Sequence, residues 1–595
     1  MGSKPRRGSR GTCSTFPFHG SRPMLASPAF NDNNNHAHPS KTWSRQLSRI
    51  QHQPPSMSSA SAPQPSPSGK PEGGTRQPMD PILRNALRYT ISAKEYQLLH
   101  QYLLSRAPAV KKRTLHPRTY DAITKGPDDY NVAAIRASLR LGVLTFSGLK
   151  AWELISTRVL ARGTEQRRQP RLPLWKSPHV RLSSSLALIL LFHRLLRRFF
   201  VRLRESLLSN DARSFRRRNP RVSRSLTSRL APAIGSSLAG FFLAVYPGDQ
   251  LRITMAIYIF TRALEFCYNY LEELGYFKNR PAWFGSWMIM PVACGQLLHA
   301  FVFDRDCFPT GVGNYIMGNS PEYLQKRPAD YPRNLPWPGT YDIVDSLAEI
   351  SRQRWPPFVS PILFPNHETL PKSLTSISSI TSPAHPAIKS LSCALLHPQD
   401  PSCLRTYVQY WIQAFPKVAR FFTILFAAMS IPRYKAFLDS PVAAVNKLAK
   451  SILRMSLFIS GAIGTSWGSI CLFQNILPRN FLPTQRWFFG GFLGGLWAFL
   501  ERKGGRGNFL YTARMSLDSL WKVGIKRGWW RGIKNGDVLL FVLSLATVNV
   551  LYEMSPRSVN SGVARKGLGV LRGEGWVDRA TLPREGQPKK TDDED

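Results

Sequence analysis

Long apolar runs dominate the chain between residues 129 and 303 and again between residues 401 and 555. Three of these runs follow one another closely, at 230–246, 253–270 and 283–303, with only short turns between them. Such a series is hard to fit into a soluble core, whereas it is typical of helices that cross a bilayer. The pattern therefore predicts an all-α fold of the multi-spanning membrane class.

The first membrane block begins with an apolar run at 131–160, and a second block starts after residue 401. In this first run Arg136 and Arg140 lie four residues apart and therefore share one helix face. We expect them to face a protein interior or lipid headgroups rather than lipid tails. The runs of the second block are 407–431, 452–473, 487–500 and 538–551.

The uncharged stretch 487–500 contains two pairs of glycines at a spacing of four, Gly490 with Gly494 and Gly491 with Gly495. Each glycine weakens a helix in water by roughly 1 kcal/mol relative to alanine. Within lipid the same spacing forms a groove that lets a second helix backbone approach closely. We therefore expect these residues to pack helices together. The alternative is a buried helix of a soluble core, because a typical span needs about 20 residues.

A basic amphipathic helix is predicted within residues 183–208. Its arginines fall within less than half of the helix circumference, and its leucines and phenylalanines lie opposite them. Such a helix suits the interface of an anionic membrane, and the alternative is the charged surface of a soluble helical bundle. The residues expected at the membrane surface are Arg194, Arg197, Arg198, Arg202 and Arg204.

The 595-residue chain carries a formal net charge of +44, which indicates an anionic partner. The basic residues lie beside apolar runs rather than on a separate polar domain, so we expect a bilayer with anionic headgroups and no nucleic acid. The expected protein partners are a second copy of the chain or other organelle membrane proteins. The seven cysteines are scattered and do not form a disulfide framework.

Shifts in composition divide the chain into regions. The N-terminal tail is Arg-rich, nearly free of acids and poor in large apolar residues, which predicts disorder and resembles a mitochondrial transit peptide in composition. The predicted regions are a disordered basic tail (1–80), a soluble helical segment (81–128), a first membrane block (129–303) with an inserted basic amphipathic segment (161–229), a polar Pro/Ser-rich connection (304–400), a second membrane block (401–555) and a disordered charged tail (556–595).

The two membrane blocks contain similar stretches in the same order. Gly240 of the first block aligns with Gly495 of the second, and Arg262 aligns with Arg514. These matches predict two tandem units of four helices, and duplicated halves are common in membrane proteins that form a pathway or a shared interface. The matched stretches are 138–146 with 452–460, 234–245 with 489–500, and 261–264 with 513–516.

Residues with candidate chemistry are few. Cys393, His397 and Cys403 could bind a metal, with His385 as a fourth ligand, but Cys-x3-His-x5-Cys is not a standard zinc spacing. The sequence contains no Walker-type phosphate loop and no G-x-S-x-G nucleophile motif. We therefore expect no metal, no cofactor and no enzymatic activity, and the three residues of that spacing remain as metal candidates.

Three stretches resemble the transmembrane protein 135 family: DYNVAAIRASLRLGVLTFSGLKAWEL (129–154), CALLHPQDPSCLRTYVQYWIQAFPKVARFF (393–422) and GGFLGGLWAFLERKGGRGNFLYTARMSLDSLW (490–521). The resemblance covers about residues 120–555. The glycine-rich helix also resembles, more distantly, the superfamily of mitochondrial import translocase subunits and the peroxisomal membrane protein 24, whose units have four short helices. The resemblance implies an integral protein of peroxisomes or mitochondria, linked to lipid metabolism and organelle dynamics, without an established enzymatic activity.

The leading functional hypothesis is an organelle membrane protein with a structural, regulatory or transport-related role in lipid handling. The alternative is a conduit for a solute or a protein, similar to the import translocases, and a membrane enzyme is the third hypothesis. The topology stays open, because strongly basic tracts flank the first apolar run on both sides. In a conduit, intramembrane arginines would line a polar path, and those arginines would be Arg136, Arg140, Arg262, Arg454 and Arg514.

Overall fold

The structure is a computed structural model that describes residues 81–102, 114–124, 129–156, 173, 177–281, 283–573 and 576–581. The predictions for 1–80 and for 582–595 lie outside these residues. Within the described ranges the regular elements are helices, and the one isolated backbone bridge joins Pro357 to Ser390. The predicted all-α class is therefore confirmed for the described part of the chain.

Three short helices precede the first apolar run, α1 (Pro81–Thr90), α2 (Ala93–Tyr102) and α3 (Pro117–Thr124). Tyr120 of α3 is buried and stacks on Tyr96 of α2 with ring centroids 4.0 Å apart. The hydroxyl of Tyr120 donates to the carbonyl of Ile91, 2.9 Å away. These contacts hold the three helices together as a small unit. Helix α1 also packs against the long helix Asp129–Ile155.

The described part of the first apolar block consists of α-helices of 6 to 31 residues. Asp249 shows how such a helix starts, because its carboxylate accepts a hydrogen bond from the backbone N–H of Arg252 and so caps the free N–H groups of the first turn. The helices are α4 (Asp129–Ile155), α5 (Pro178–Leu208), α6 (Arg213–Arg218), α7 (Pro220–Thr227), α8 (Ala231–Ser237) with a 3-10 extension (Leu238–Val245), α9 (Gln250–Glu273) and α10 (Ile289–Phe303).

The segment predicted as a polar connection, 304–400, is instead a folded unit. Its apolar residues are spaced among prolines and serines, so the composition hides them, yet Ile343, Leu347 and Ile377 are completely buried. They belong to one hydrophobic cluster that also includes residues of the second membrane block. The helices of this folded unit are α11 (Thr310–Gly318), α12 (Thr340–Arg352), α13 (Ser378–Thr381) and α14 (Leu391–Leu396).

The second block also combines long helices with short ones. The glycine-rich stretch is a short α-helix that continues as a 3-10 helix (Leu496–Glu501), as α8 does in the first block. The helices are α15 (Cys403–Ser430), α16 (Tyr434–Asp439), α17 (Pro441–Ile476), α18 (Arg486–Gly495), α19 (Arg506–Lys526) and α20 (Gly536–Met554).

The two blocks pack through an exchange of helices. Within the blocks, α4 packs on α5 and α15 packs on α17, while α5 contacts α8 and α17 contacts α18. Helix α10 of the first block packs on α18 and α19 of the second block. Helix α20 of the second block packs in turn on α8 and α9 of the first block. Each block therefore contributes one helix to the interior of the other.

Five helices of the described chain are long and apolar enough to cross a membrane. A sixth span would result if Pro220–Thr227 and Ala231–Val245, which are bent by 83° to each other, crossed as one broken helix. The predicted run 253–270 is not among the candidates, and neither is 487–500, which lies in a short helix and its 3-10 extension. The candidates are Tyr130–Ile155, Ser286–Phe303, Cys403–Ser430, Pro441–Ile476 and Gly536–Met554.

The start of the tail predicted as disordered, 556–595, is folded as far as the structure describes it. Helix α21 (Gly562–Arg572) packs on α5, and Leu568 is buried in a cluster with residues of α9 and α20. Trp576 lies against Tyr552 with ring centroids 5.6 Å apart. The charged and Gly-rich composition concealed these few apolar contacts, which are enough to dock the segment.

Candidate metal centre and polar contacts between helices

A turn between α14 and α15 brings the predicted metal candidates together. Cys393 lies in α14, His397 follows the last residue of that helix, and Cys403 is the first residue of α15. Pro398 and Pro401 restrict the turn because each proline fixes its own φ angle. The side chain of Ser402 caps α15 by accepting a hydrogen bond from the backbone N–H of Arg405.

A fourth residue, Cys471 of α17, completes the group. The sulfur of Cys393 lies 3.7 Å from the sulfur of Cys471 and 3.9 Å from that of Cys403. The Nε2 atom of His397 lies 3.5 Å from the Cys471 sulfur. All four ligand atoms are within 4.8 Å of one another. Cys393, His397 and Cys471 are at most 6% exposed, so the group faces the protein interior.

The orientation of His397 is set by its second ring nitrogen. The Nδ1 atom lies 2.7 Å from the carbonyl oxygen of Asp400. A donated Nδ1–H leaves the Nε2 lone pair free to face the sulfurs, which is the arrangement of metal-binding histidines. The carboxylate of Asp400 accepts from the backbone N–H of Ser402, 2.8 Å away, so the same residue also holds the turn.

The surroundings of His397 favour positive charge. Burial lowers its pKa, but hydrogen bonds with the thiols of Cys393 and Cys403 and with the carbonyl of Asp400 outweigh burial and raise the pKa to about 10. Three sulfurs and one imidazole nitrogen thus face one another at this turn. The sulfurs are too far apart for a disulfide, which requires about 2.05 Å between them.

The sequence identified three of these four residues. The fourth ligand that it suggested, His385, does not belong to the group. His385 is exposed, and its Nδ1 atom accepts a hydrogen bond from the backbone N–H of Ala387. Cys471 stands 68 residues after Cys403, beyond two helices, so spacing alone could not connect it to the group. Its only sequence signal is a cysteine near the end of an apolar run.

The arginines predicted at the membrane surface mostly contact protein. Arg194 is buried and donates to the carbonyl of Val570 in α21, 2.7 Å away. Arg198 donates to the side chain of Asn131. The remaining partners are Glu553 for Arg197, at 3.2 Å, and the carbonyl of Thr227 for Arg204, at 3.0 Å.

The reason for this difference is that α5 lies between α4, α8 and α21 rather than on an open surface. The polar face of the helix therefore meets carbonyl groups and side chains of its neighbours. Of the five arginines, only Arg202 is exposed, as a membrane-surface role requires.

The five arginines of the predicted polar path divide among separate partners. Arg140 pairs with Glu95 of α2, with an N–O distance of 2.6 Å, and Arg136 donates to the carbonyl of Arg88 in α1. Arg454 is exposed on α17.

Only two of those arginines come together. Arg262 and Arg514 both lie over the ring of Tyr258, at 5.6 Å and 4.5 Å from its centroid, where α9 contacts α19. Arg262 also pairs with Glu265, 2.7 Å away. The path predicted from the sequence is therefore not continuous among the described residues.

The four glycines of α18 lie at two tight helix contacts. A Cβ atom on Gly490 would lie 2.4 Å from the hydroxyl of Ser469 in α17, and a Cβ on Gly494 would lie 2.6 Å from the carbonyl of Ala462. A Cβ on Gly491 would lie 2.4 Å from the carbonyl of Cys294 in α10. Gly490 and Gly494 thus face α17.

The other two close positions involve the exchanged helices. A Cβ on Gly495 would lie 2.5 Å from the Cα atom of Pro291 in α10. A Cβ on Gly240, in the 3-10 extension of α8, would lie 2.9 Å from a methyl group of Val542 in α20. Gly240 and Gly495, which align in the sequence, therefore each contact the helix that the other block contributes.

Sequence reasoning missed a buried ion pair between the blocks. Arg252 at the start of α9 donates to Asp537 at the start of α20, with 3.0 Å between Nη2 and Oδ1. The guanidinium also donates to the carbonyl of Tyr246 and to the side chain of Asn535. Both charged residues lie at the ends of apolar runs, where the sequence pattern indicates only a boundary.

No family model matches the chain, and no solved structure matches it with significance. The fold and the contacts described above therefore carry the functional argument.

Proposed function

We propose that the chain is an integral multi-pass protein of the peroxisomal or mitochondrial membrane, with a structural, regulatory or transport-related role in lipid metabolism and organelle dynamics. The observation that carries the membrane part is the outward apolar surface of α4 and α15. In the most apolar 18 residues of each helix, only 22% of α4 and 17% of α15 is buried inside the protein. Contiguous apolar surface of this kind needs a covering environment.

Lipid is the environment that fits these two helices. They are 27 and 28 residues long, which exceeds the about 20 residues needed to cross a bilayer. Large apolar side chains such as Leu144 of α4 and Ile412 of α15 are 70% and 68% exposed. In water, a protein that exposes such rows of apolar side chains would associate with other proteins. In a bilayer, hydrocarbon tails would cover these side chains.

The proposal includes two related halves. It is supported by the reciprocal packing of α10 and α20, by the change from α-helix to 3-10 helix in both α8 and α18, and by the paired positions of Gly240 and Gly495. The contacts match α4 with α15 and α5 with α17, so each half would hold five main helices rather than four. The sequence match of 138–146 with 452–460 pairs α4 with α17 and does not fit this order.

A scaffold fits the interior better than a conduit does. The charged residues between the helices pair with one another, as Arg252 does with Asp537 and as Glu553 does with Arg197, Arg572 and Arg579. Separating such a pair would leave a buried charge uncompensated, so the pairs favour one arrangement of the helices. Three parts of the proposal rest on the resemblance to the transmembrane protein 135 family. They are the organelle, the link to lipid metabolism and the absence of an assigned enzymatic activity.

The test is fractionation of cells that express the chain with a C-terminal tag. We expect the protein in the membrane pellet after alkaline carbonate extraction, together with a peroxisomal or a mitochondrial marker. Deletion of the gene should change the number or shape of that organelle and the content of stored lipid. Release into the supernatant without detergent would overturn membrane integration, and an unchanged organelle with unchanged lipid would overturn the role.

A further inference from the structure

We propose that Cys393, His397, Cys403 and Cys471 bind one structural Zn²⁺ ion, which ties the folded unit before α15 to the ends of α15 and α17. This inference goes beyond the proposed function and does not depend on the choice of organelle. It replaces the expectation from the sequence that the chain binds no metal.

Three of the six distances between the ligand atoms match a tetrahedral zinc site, and all six are within 4.8 Å. Zinc–sulfur bonds of about 2.3 Å and tetrahedral angles place two sulfurs about 3.8 Å apart, and a sulfur and an imidazole nitrogen about 3.6 Å apart. The observed sulfur–sulfur distances from Cys393 are 3.7 Å and 3.9 Å. The observed distance from the Cys471 sulfur to Nε2 of His397 is 3.5 Å.

The kind of ligand selects the metal. Thiolates bind soft or borderline ions, and a tetrahedral set of three sulfurs and one imidazole is a common structural zinc set. Hard ions such as Mg²⁺ and Ca²⁺ require oxygen ligands, and no carboxylate belongs to the group. The hydrogen bond from Nδ1 of His397 to the carbonyl of Asp400 supplies the outer support that metal-binding histidines usually have.

Four protein ligands close the coordination sphere. A catalytic zinc keeps a position for water, whereas a structural zinc has four protein ligands. The surroundings agree with a closed site, because Leu395, Leu396 and Trp467 of the same hydrophobic cluster are buried beside it. The ion would therefore hold segments together and would not activate a substrate.

The ligands come from three segments that meet at one end of the α15–α17 pair. These helices run antiparallel, since Tyr407 meets Gly468 while Tyr410 meets Gly464. Cys403 at the start of α15 and Cys471 near the end of α17 consequently lie side by side. Cys393 lies in the last helix of the folded unit, and His397 directly follows that helix. These two ligands therefore connect the folded unit to the helix pair. Loss of the ion should loosen this unit from the second block.

The experiment measures metal in the full-length protein, purified in detergent without added metal or chelator. Inductively coupled plasma mass spectrometry should find close to one zinc ion per chain. Cys471→Ser and Cys393→Ser should lose most of it, while the control Cys267→Ser, in α9 and outside the cluster, should retain it. Replacement of zinc by Co²⁺ should produce the thiolate charge-transfer and visible bands of tetrahedral cobalt in the wild type and in the control.

A second pair of variants separates a ligand role from a packing role. His397→Cys offers a fourth thiolate and should still bind zinc, whereas His397→Ala should not. A zinc chelator should lower the melting temperature of the wild type and of Cys267→Ser, but it should leave Cys471→Ser unchanged.

The proposal is overturned if the purified wild type contains no stoichiometric zinc and does not take up Co²⁺ after reduction of its thiols. A disulfide among Cys393, Cys403 and Cys471 in protein isolated under thiol-trapping conditions would also overturn it. Equal zinc content in Cys471→Ser and the wild type would have the same consequence. None of these results bears on carbonate extraction, so this proposal and the proposed function can fail separately.

Discussion

Arg252 and Asp537 form an ion pair between helices of different blocks, although 285 residues separate them in the sequence. Their side chains are 8% and 16% exposed, so the pair is largely shielded from water. Removing one partner of such a pair leaves a buried charge without compensation, which costs about 3–5 kcal/mol. The pair thus joins the first turn of α9 to the first turn of α20.

We predict that Arg252→Met and Asp537→Asn each lower the stability of the detergent-solubilised protein by about 3–5 kcal/mol. The double variant should lose less than the sum of the two, because neither charge then remains unpaired. Thermal or denaturant unfolding measures these differences. Glu153→Gln removes an exposed pair with Lys150 and should cost at most about 1 kcal/mol. Additive effects of the two main variants would contradict the coupling.

We predict that even a methyl group is harmful at Gly491. Its Cβ atom would lie 2.4 Å from a backbone carbonyl of α10, which cannot rotate away, so Gly491→Ala should destabilise the protein by about 1–3 kcal/mol. Gly494→Leu should force α18 further from α17 and lower the amount of assembled protein. Gly148→Ala in α4 meets no atom within 4 Å and serves as the control. Equal yields and melting temperatures for all three variants would rule out the packing role.

We predict that an acidic residue on an outward face distinguishes a membrane span from a soluble surface. Ile412→Asp in α15 should reduce stable membrane integration, since an aspartate at the centre of a span costs about 2.5–3.5 kcal/mol. Leu363→Asp changes an apolar side chain that is 59% exposed on the folded unit, and it should have little effect. Carbonate-resistant protein, normalised to synthesis, is the measurement. Similar losses in both variants would contradict a lipid-facing α15.

We predict that acid releases α2 from α4. A hydrogen bond from Arg140 is the main cause that lowers the pKa of Glu95, from an ordinary 4.5 to about 2. Because the folded pKa is depressed, the stabilising contact is present above pH 4.5 and is lost as the pH falls towards 2. Fluorophores on α2 and α4 should report this separation in the wild type.

Glu95→Gln provides the matched comparison for that titration. It lacks the titrating carboxyl, so its fluorophore distance should already be longer at neutral pH and should not change between pH 4.5 and about 2. A wild type and a variant with the same acid response would show that another group controls the contact.

Local patterns in the sequence predicted the class of the fold and the positions of its longest helices. The runs near α4, α15 and α17 were recognisable because apolar residues continue over more than 20 positions. The glycine pairs of α18 were recognisable for the same reason, since their spacing has a direct geometric meaning on a helix. These signals require no knowledge of distant contacts.

The parts that were not predictable depend on residues far apart in the sequence. Cys471 joins the metal candidates only because α17 runs antiparallel to α15. Arg194 and Arg197 looked like a membrane-surface face because nothing in their helix reveals that α20 and α21 supply their partners. The folded unit before α15 was mistaken for a connection because most of its buried residues are scattered among prolines and serines, although those of α12 recur at helical spacing.

The exchange of α10 and α20 has a consequence for how the protein is synthesised. The ribosome completes α8 and α9 about 260 residues before it begins α20, which packs on both of them. The surfaces of α8 and α9 that pack on α20 therefore lack this partner until the chain is almost finished. A premature stop codon ahead of residue 536 would remove the last helices and also leave α8 and α9 without a packing partner. The two blocks expressed as separate polypeptides would each lack the helix that the other contributes.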